Sequence, residues 1–233
     1  MTAPTTPREL FAQCRDMDTP LNERLRAYTE GLRRLDATYS RAADELIARL
    51  EASEAGANAP GPGEPMPPFV LPDERGRLVS LEGLLRNGPA AITFHRGHWC
   101  PYCRISIHAL ARVQEQIAAD GAQIVAVMPE RQQFAQAFKA EAAANYPILI
   151  DVDSGYGMLL NLVFWIGSDL ERLLSGYGRD VPTYQGNESW MFPLPATFVV
   201  GRDGIIRARF VDPDYRRRMA IDDLLQAVKS AVA

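Results

Sequence analysis

The sequence runs Ala90-Ala91-Ile92-Thr93-Phe94 and then, four residues later, Trp99-Cys100-Pro101-Tyr102-Cys103, and this stretch decides the fold. The first run is apolar and predicts a buried strand. Proline is favoured at the first position of a helix, where its missing N–H costs nothing, and an amphipathic pattern continues from Pro101. We therefore predict a strand that leads into a helix, with Cys100 as the N-cap and Cys103 in the first turn.

These positions make the two cysteines reactive. The unpaired N–H groups and the positive end of the macrodipole at a helix N-terminus favour a thiolate, which lowers a cysteine pKa below its free value of about 8.5. Helical residues three apart have Cβ atoms roughly 5–6 Å apart, whereas a relaxed disulfide needs about 3.8 Å. We expect a strained, reducible disulfide between them. Two cysteines that merely pack in the core are the alternative.

Length and composition bound the class of protein. The 233 residues suit one large domain or a domain with an extension, and a hydrophobic content of 47% allows a sizeable core. A net charge of -4 argues against nucleic acid as a partner, and no apolar run approaches the ~20 residues that span a bilayer. No signal peptide is evident, and three cysteines make a poor disulfide framework. We therefore expect a cytoplasmic protein with no membrane association.

An amphipathic pattern over residues 19–53 predicts one long N-terminal helix. Its apolar positions alternate at spacings of three and four, as in a heptad seam: Leu21, Leu25, Tyr28, Leu32, Leu35, Tyr39, Ala42, Leu46 and Leu50. Such a seam needs a partner. We expect a second subunit, and hence a homodimer, with packing on the chain's own domain as the alternative.

The rest of the chain alternates between strand and helix patterns. Residues 55–68 are rich in proline and glycine and predict a linker, which separates an N-terminal helical extension (residues 1–54) from a domain at residues 69–233. The domain begins with a small hairpin (69–71 and 78–81). Then follow strands 90–94, 123–128 and 146–150, helices 101–119, 130–144 and 156–163, a hairpin of strands 196–200 and 205–211, and a helix at 220–232. This order predicts an α/β fold with a central mixed sheet and helices on both faces.

Four separated motifs carry a family resemblance. They are Pro68-Phe69-Val70-Leu71-Pro72-Asp73 with Gly76 and Val79-Ser80-Leu81, the run from Phe94 to Cys103, Leu194-Pro195-Ala196-Thr197-Phe198-Val199-Val200, and Val211-Asp212-Pro213-Asp214-Tyr215. Together they resemble the peroxiredoxin-like family of alkyl hydroperoxide reductase and thiol-specific antioxidant proteins, in a branch with a CxxC pair. The resemblance runs from about Met66 to the C-terminus. It implies a thioredoxin-like fold and a peroxidase for hydrogen peroxide or organic hydroperoxides, recycled by a thioredoxin- or glutaredoxin-type reductant and needing no cofactor.

Two departures from the family pattern leave the attacking sulfur open. Peroxiredoxins carry Pro-x-x-x-Thr/Ser-x-x-Cys, whose last residue attacks the peroxide; here Cys103 takes that place, Cys100 the threonine's and Arg96 the proline's. The family arginine before the later strand is replaced by Pro195. Thioredoxin-like proteins place a cis-proline there and attack through the first cysteine. The resemblance thus implies a cis Leu194–Pro195 bond and allows either sulfur to attack.

Several residues around the cysteines are candidates for the site. Arg96 lies in the turn beside Cys100, where its guanidinium can hold a peroxide and stabilise the leaving oxyanion; a surface arginine paired with a carboxylate is the alternative. By resemblance, Trp99 shields one side of the sulfurs, although it could simply be a packed aromatic. Leu194 and Pro195 are expected to line the substrate groove, and Pro195 to keep metal from the thiol pair.

The remaining chemistry-bearing residues carry weaker expectations. His95 and His98 can donate or relay protons near neutral pH, whereas His108 lies further along the helix and is expected to be structural. Cys14 is expected to be a free thiol, with a resolving role across a dimer as the alternative. A structural zinc site usually draws two ligand pairs from separate turns, and the chain has no second CxxC, so we expect no metal.

Three functions fit the pattern. The first is the thiol peroxidase. The second is a protein thiol-disulfide oxidoreductase, supported by proline at position 195 in place of the family arginine. The third is a non-enzymatic module in which the long helix forms a dimer and the cysteine pair senses oxidation.

Overall fold

The computed structural model describes residues 4–232. Along them the helices and strands are α1 (Pro7–Asp16), α2 (Leu21–Leu35), α3 (Ala37–Ala52), β1 (Val70–Pro72), β2 (Leu78–Ser80), α4 (Leu81–Leu85), β3 (Ala90–Phe94), α5 (Pro101–Ala119), β4 (Gln123–Met128), α6 (Gln132–Ala142), β5 (Ile148–Ile150), α7 (Gly155–Leu159), β6 (Val163–Trp165), α8 (Ser168–Gly176), α9 (Val181–Gln185), β7 (Met191–Pro193), β8 (Ala196–Val200), β9 (Ile206–Val211) and α10 (Ile221–Val232).

A five-stranded sheet forms the centre of the molecule, with strand order β5-β4-β3-β8-β9. β3 is parallel to β4, β4 is parallel to β5, and β8 is antiparallel to both β3 and β9. All five residues of β3 are buried, so both faces of the sheet are covered. Helices α5, α6 and α10 pack against the sheet. The predicted thioredoxin-like α/β fold with a mixed sheet is confirmed.

The predicted junction between strand and helix is also confirmed. β3 spans Ala90–Phe94 and α5 spans Pro101–Ala119, as the pattern indicated. Cys100 is the N-cap of α5, with extended dihedral angles, and proline occupies the first helical position. In the sheet, Thr93 pairs with Thr197 of β8, so the loop that carries the cysteines leaves the sheet beside the start of β8.

The prediction of a single long N-terminal helix over residues 19–53 was wrong. The structure has two helices in that region, α2 and α3, separated at Asp36, and a further helix, α1, precedes them. The Asp36 carboxylate accepts the N–H of Tyr39 at 2.9 Å and so caps α3, while its own N–H is bonded to the Leu32 carbonyl. Aspartate competes for backbone N–H groups and therefore favours caps over helix interiors, which a count of apolar spacings does not register.

The apolar seam is buried within the same chain. Helix α2 packs on α1 and α5, and α3 packs on α8. Leu25, Tyr28 and Leu46, which belong to the seam, are each less than 5% exposed. Packing on the chain's own domain, the alternative to a subunit partner, is therefore what the structure has. The homodimer stays a prediction.

The region between β5 and β8 contains structure that the sequence pattern did not indicate. β6 and β7 form a separate two-stranded antiparallel sheet, and the short helices α8 and α9 lie between them in the chain. The pattern had placed a helix at 156–163, whereas α7 ends at Leu159.

The proline- and glycine-rich residues 55–68 form turns rather than a helix. Pro65 is bridged to Ile205, and the Met66 N–H donates to the Gly204 carbonyl at 2.9 Å, so this segment is tied to the β8–β9 turn. The domain boundaries at residues 54 and 68 stay a prediction. No helix among residues 4–232 combines the length and the apolar composition that crossing a bilayer requires.

Candidate active site

The two sulfurs lie at the point where β3 passes into α5. A hydrogen bond of 2.9 Å from the His95 N–H to the Val127 carbonyl extends the sheet by one residue. The chain then turns at Gly97, whose φ of 142° is a left-handed conformation that glycine adopts readily. Cys100 and Cys103 follow, both fully buried and both free thiols. The structure therefore places the pair in the predicted geometry, but sealed from solvent.

Arg96 contacts both sulfurs. Its side-chain Nη2 donates to Cys100 Sγ at 3.1 Å, and its backbone N–H donates to Cys103 Sγ at 3.3 Å. The guanidinium stacks on the ring of Tyr215 at 3.8 Å and lies 5.1 Å from the ring of Trp99, an arrangement in which cation–π attraction adds to the contact. Arg96 is only 3% exposed, so the alternative of a surface arginine does not describe it.

A second arginine, Arg218, reaches the same pair from the C-terminal segment before α10. Its Nη2 lies 3.5 Å from Cys103 Sγ, and its Nη1 donates to the Tyr215 carbonyl at 2.6 Å. Asn22 of α2 holds the Arg218 backbone through two hydrogen bonds, of 2.9 and 3.2 Å. The C-terminal segment and the N-terminal helices thus cooperate to position a second guanidinium.

Within residues 4–232, Arg96 and Arg218 form no ion pair with a carboxylate, and each keeps its Nε without a partner. A buried cation needs a compensating charge. The Arg96 guanidinium contacts the Cys100 sulfur, and the Arg218 guanidinium contacts the Cys103 sulfur. The site is therefore built to hold negative charge on sulfur.

The surroundings shift the pKa values of the two thiols in opposite directions. Burial opposes ionisation of Cys100, but the contacts of Cys100 with the Cys103 thiol and the Arg96 guanidinium outweigh burial and hold the Cys100 pKa well below its usual value. Burial and the neighbouring Cys100 raise the pKa of Cys103 well above its usual value. The surroundings therefore favour a thiolate at Cys100 beside a thiol at Cys103.

Glu130 is hydrogen-bonded to the loop that precedes Cys100. It is 1% exposed, and one carboxyl oxygen accepts the His98 N–H at 2.9 Å. The other oxygen has no partner among the described residues, and a Cβ on Gly97 would overlap it. Burial, reinforced by nearby Cys100, raises the pKa of Glu130 to about 8. The loop therefore rests on a carboxyl group that is protonated near neutral pH.

The predicted groove residues lie at this end of the sheet, with different surroundings. Trp99 is 3% exposed and packs on Phe192 of β7, with ring centroids 5.0 Å apart. Pro195 lies two residues before Thr197, next to the cysteine loop. Leu194 is buried toward Gly56, where an added Cβ would lie 2.9 Å from its Cδ1.

The expected cis bond at Leu194–Pro195 was wrong, because the described residues contain no cis peptide bond. The Leu194 N–H donates to the Leu162 carbonyl at 2.8 Å. This bond extends the β6–β7 sheet by one residue pair, and neither strand belongs to the four sequence motifs. Leu194 is therefore positioned by Leu162, which lies outside the motif that contains Leu194.

The histidines divide into one buried and two partly exposed side chains. His95 is fully enclosed, bonded to the Thr93 hydroxyl at 3.1 Å, and burial, with the charge of Arg218, lowers its pKa to about 3. It is therefore neutral near pH 7, with one ring proton rather than two. The His98 ring points to Glu141 at 2.9 Å, and burial lowers the pKa of His108.

Two further predictions concern Cys14 and a metal site. Cys14 on α1 is a buried free thiol, and burial raises its pKa. Residues 4–232 contain no group of three or more His, Cys, Asp or Glu side chains placed to hold one ion.

Sequence reasoning missed Arg218, Tyr215 and Glu130. Tyr215 closes the motif that begins at Val211, which pointed to this segment but not to its role. Arg218 ends a run of three arginines; the first two pair with carboxylates, Arg216 with Asp214 at 2.8 Å among others, and no local pattern shows that the third turns inward.

Known proteins with the same fold include several thiol proteins. A peroxidoxin BcpB from Mycobacterium tuberculosis aligns with a TM-score of 0.57 and 18% identity, over 74% of this chain and 99% of that chain. A protein assigned as the thiol:disulfide interchange protein DsbE from Chlorobium tepidum aligns at 0.50 and 22%, over 74% and 98%. Peroxiredoxin Q from Xanthomonas campestris aligns at 0.53 and 15%, over 71% and 92%. At these identities the likeness establishes the fold alone.

No curated protein matches the sequence significantly. The model of the AhpC/TSA family, however, matches residues 62–209. The match includes the cysteine loop and β8, but neither the N-terminal helices nor Arg218. Since it spans more than half of the chain, the chain belongs to the AhpC/TSA family of peroxiredoxin-like oxidoreductases.

Proposed function

We propose that this protein is a thiol peroxidase that reduces hydrogen peroxide or organic hydroperoxides through the Cys100–Cys103 couple. The observation that supports this most strongly is the pair of buried guanidiniums, Arg96 and Arg218, which contact the two sulfurs and have no carboxylate partner in the described chain. A positive site around a thiolate suits a reaction in which negative charge moves from sulfur to a leaving oxygen.

In the proposed reaction the Cys100 thiolate attacks the nearer peroxide oxygen. The S–O bond forms as the O–O bond breaks, so sulfur is oxidised to sulfenic acid and the leaving alkoxide or hydroxide takes up a proton to become an alcohol or water. The Cys103 thiol then attacks the sulfenic sulfur. A disulfide forms and one water leaves, so that two electrons have passed from the dithiol to the peroxide.

Cys100 is assigned as the attacking sulfur for two reasons. Its pKa is lowered by the thiol of Cys103 and by Arg96 against the opposing effect of burial, while that of Cys103 is raised, and the thiolate is the nucleophilic form. The helix N-terminus at Pro101 adds N–H groups on the side of Cys100. Arg218 is left to stabilise charge on the leaving oxygen and to hold Cys103 in place.

The assignment is tested by trapping sulfenic acid with dimedone in Cys100→Ser and Cys103→Ser variants after addition of peroxide. We expect the adduct in Cys103→Ser, at Cys100, and none in Cys100→Ser. Cys14→Ser is the matched control, since Cys14 is buried on α1 away from the pair, and it should behave as the wild type. An adduct only in Cys100→Ser would reverse the roles of the two sulfurs.

The peroxidase activity itself is tested by stopped-flow kinetics. Oxidation of the pair should be far faster than that of a free cysteine at the same pH, because both the thiolate and the charge-stabilising groups are in place. Equal rates would refute the proposal.

The cycle needs a dithiol donor to reduce the disulfide. We propose a thioredoxin- or glutaredoxin-type protein in a reducing compartment, since a bond between residues three apart at a helix start is readily reduced. Turnover with each donor, against dithiothreitol as a small-molecule donor, identifies the reductant. Turnover with dithiothreitol but with neither protein would exclude both protein donors.

A second candidate is a protein thiol-disulfide oxidoreductase. The low pKa of the first cysteine in a CxxC pair favours it. Both sulfurs are fully buried, which limits contact with a protein disulfide and with a protein reductant alike, so burial does not separate the two candidates. Reduction of insulin without reduction of peroxide would support this candidate, and slow oxidation accompanied by a change in oligomer size would support a redox-sensing homodimer instead.

A further inference from the structure

A cavity of about 420 Å³ lies between the N-terminal helices and the cysteine loop. Its inner wall includes Trp99, Pro101 and Tyr102, which flank Cys100 in the chain, and its outer wall includes Tyr28, Leu32 and Tyr39 of α2 and α3. Ligand pockets in proteins are commonly about 300–1,000 Å³ and mostly apolar. The volume far exceeds what hydrogen peroxide needs, so it suits a substrate with an organic body.

The cavity belongs to the reacting centre by position. Tyr28 packs edge-to-face on Tyr102, with ring centroids 5.1 Å apart, and Tyr102 lies in the first turn of α5, which begins directly after Cys100. The wall formed by α2 therefore adjoins the helix start that carries the sulfur. Cys100 itself is fully buried, and Trp99 and Pro101, its two neighbours in the chain, line the cavity, so a substrate in the cavity is next to the residues that flank the sulfur.

One end of the cavity carries a cation. Arg179, which follows α8, lines the cavity and forms no side-chain hydrogen bond or ion pair among the described residues. Among the described residues of the wall, Asp36 is the one carboxylate. It accepts the Tyr39 N–H at 2.9 Å, and its interaction with the Tyr177 hydroxyl raises the pKa of Tyr177 to about 12. Arg179 is the group left to meet a ligand, and it suits an anion.

We propose that this cavity binds an organic hydroperoxide that carries a carboxylate, with the hydrocarbon body among the aromatic rings and the carboxylate on Arg179. The inference rests on the proposed peroxidase function and names its substrate class. The hydroperoxide group is reduced to an alcohol by the reaction already written, and the carboxylate is unchanged. Tyr28, Leu32 and Tyr39 lie outside residues 62–209, so the N-terminal helices supply one apolar wall of the cavity, while Arg179 lies within the matched region.

Binding is measured first, without turnover, by titrating 4-isopropylbenzoate into the reduced protein and following tryptophan fluorescence and heat. We expect saturable binding to the wild type, weakened about tenfold or more in Arg179→Gln, because a charge-assisted hydrogen bond is lost. Arg172→Gln is the matched control. Arg172 lies on α8, seven residues before Arg179, is exposed and does not line the cavity, so binding should be unchanged.

Kinetics then compare hydrogen peroxide, cumene hydroperoxide and its 4-carboxylate. Arg179→Gln should lower kcat/KM about tenfold for the carboxylate alone, and Leu32→Trp, which fills the cavity, should lower it for both organic peroxides. Hydrogen peroxide reports that the variants remain folded and active. Absent binding of 4-isopropylbenzoate, or equal binding to Arg179→Gln, would overturn the inference. Binding by a wild type that reduces none of the peroxides would overturn the proposed function while supporting the anion site.

Discussion

Replacement of Arg96 by glutamine tests directly whether the guanidinium stabilises the Cys100 thiolate. Arg96 donates to Cys100 Sγ at 3.1 Å from a guanidinium that is 3% exposed, so solvent screens this contact little. A hydrogen bond to a charged group contributes about 1.5–3 kcal/mol, and one pKa unit corresponds to about 1.36 kcal/mol. Loss of the contact should therefore raise the pKa of the Cys100 thiol by roughly one to two units.

The assay is thiolate absorbance at 240 nm as a function of pH. Absorbance reports ionisation without requiring a reagent to enter a buried site, and subtraction of the Cys100→Ser titration isolates the contribution of one sulfur. At pH 7 the thiolate fraction, and with it the rate of reaction with peroxide, should fall in Arg96→Gln. Arg96→Lys keeps the charge but not the planar donor group, so we expect a smaller rise in the pKa.

Arg104→Gln is the matched control. Arg104 lies one residue past Cys103, pairs with Glu141 at 2.6 Å and makes no contact with either sulfur. Its titration should coincide with that of the wild type, and circular dichroism checks that each variant is folded. If the midpoint for Arg96→Gln equals that of the wild type, the guanidinium does not stabilise the thiolate and the account of the site is refuted.

Three further predictions concern the supports of the site. The pKa of Glu130 is about 8 in the folded protein, against an ordinary glutamate value of 4.5. Between these values the native state keeps a proton that the unfolded chain releases, so the free energy of unfolding falls as pH rises. Glu130→Gln should remove this contribution to the slope and be more stable by roughly 2–4 kcal/mol at pH 8, whereas equal effects of pH on the urea unfolding of wild type and variant between pH 5 and pH 8 would contradict it. Asp36→Ala removes the cap of α3 and should lower stability by about 1 kcal/mol, measured by urea unfolding, with Asp36→Asn, which retains a capping side chain, as the control. Gly97→Ala places a Cβ against the Glu130 carboxyl at a φ of 142°, so it should slow peroxide reduction and lower the Tm. The control is Gly63→Ala, at a positive φ but in open space, which should lower the Tm only slightly and leave the rate unchanged.

Much of the central fold could be predicted from local patterns. The bounds of β3, β4 and α5 match those read from apolar runs and from proline at the start of the helix. These elements are continuous and strongly patterned, so nearest-neighbour physics decides them. The break at Asp36 lies inside an otherwise regular pattern, and it was missed because a single side-chain cap outweighs several apolar spacings.

The site was predictable only in part. The positions of Cys100, Cys103 and Arg96 within one loop follow from their spacing, and the structure places all three in contact. Arg218 is 115 residues from Cys103 along the chain, and Glu130 follows a different strand. No periodicity relates residues at such separations, so their part in the site could not be inferred.

The sequence by itself determined a strand-to-helix junction that places two cysteines at the positive end of a helix, because those preferences act over a few neighbouring residues. The tertiary structure adds what these local preferences do not: the pair is buried, two guanidiniums with no carboxylate partner among residues 4–232 lie beside it, and the N-terminal helices form one wall of an adjoining cavity. The physical reason is that burial and charge compensation depend on which distant segments pack together, and packing is a property of the whole chain.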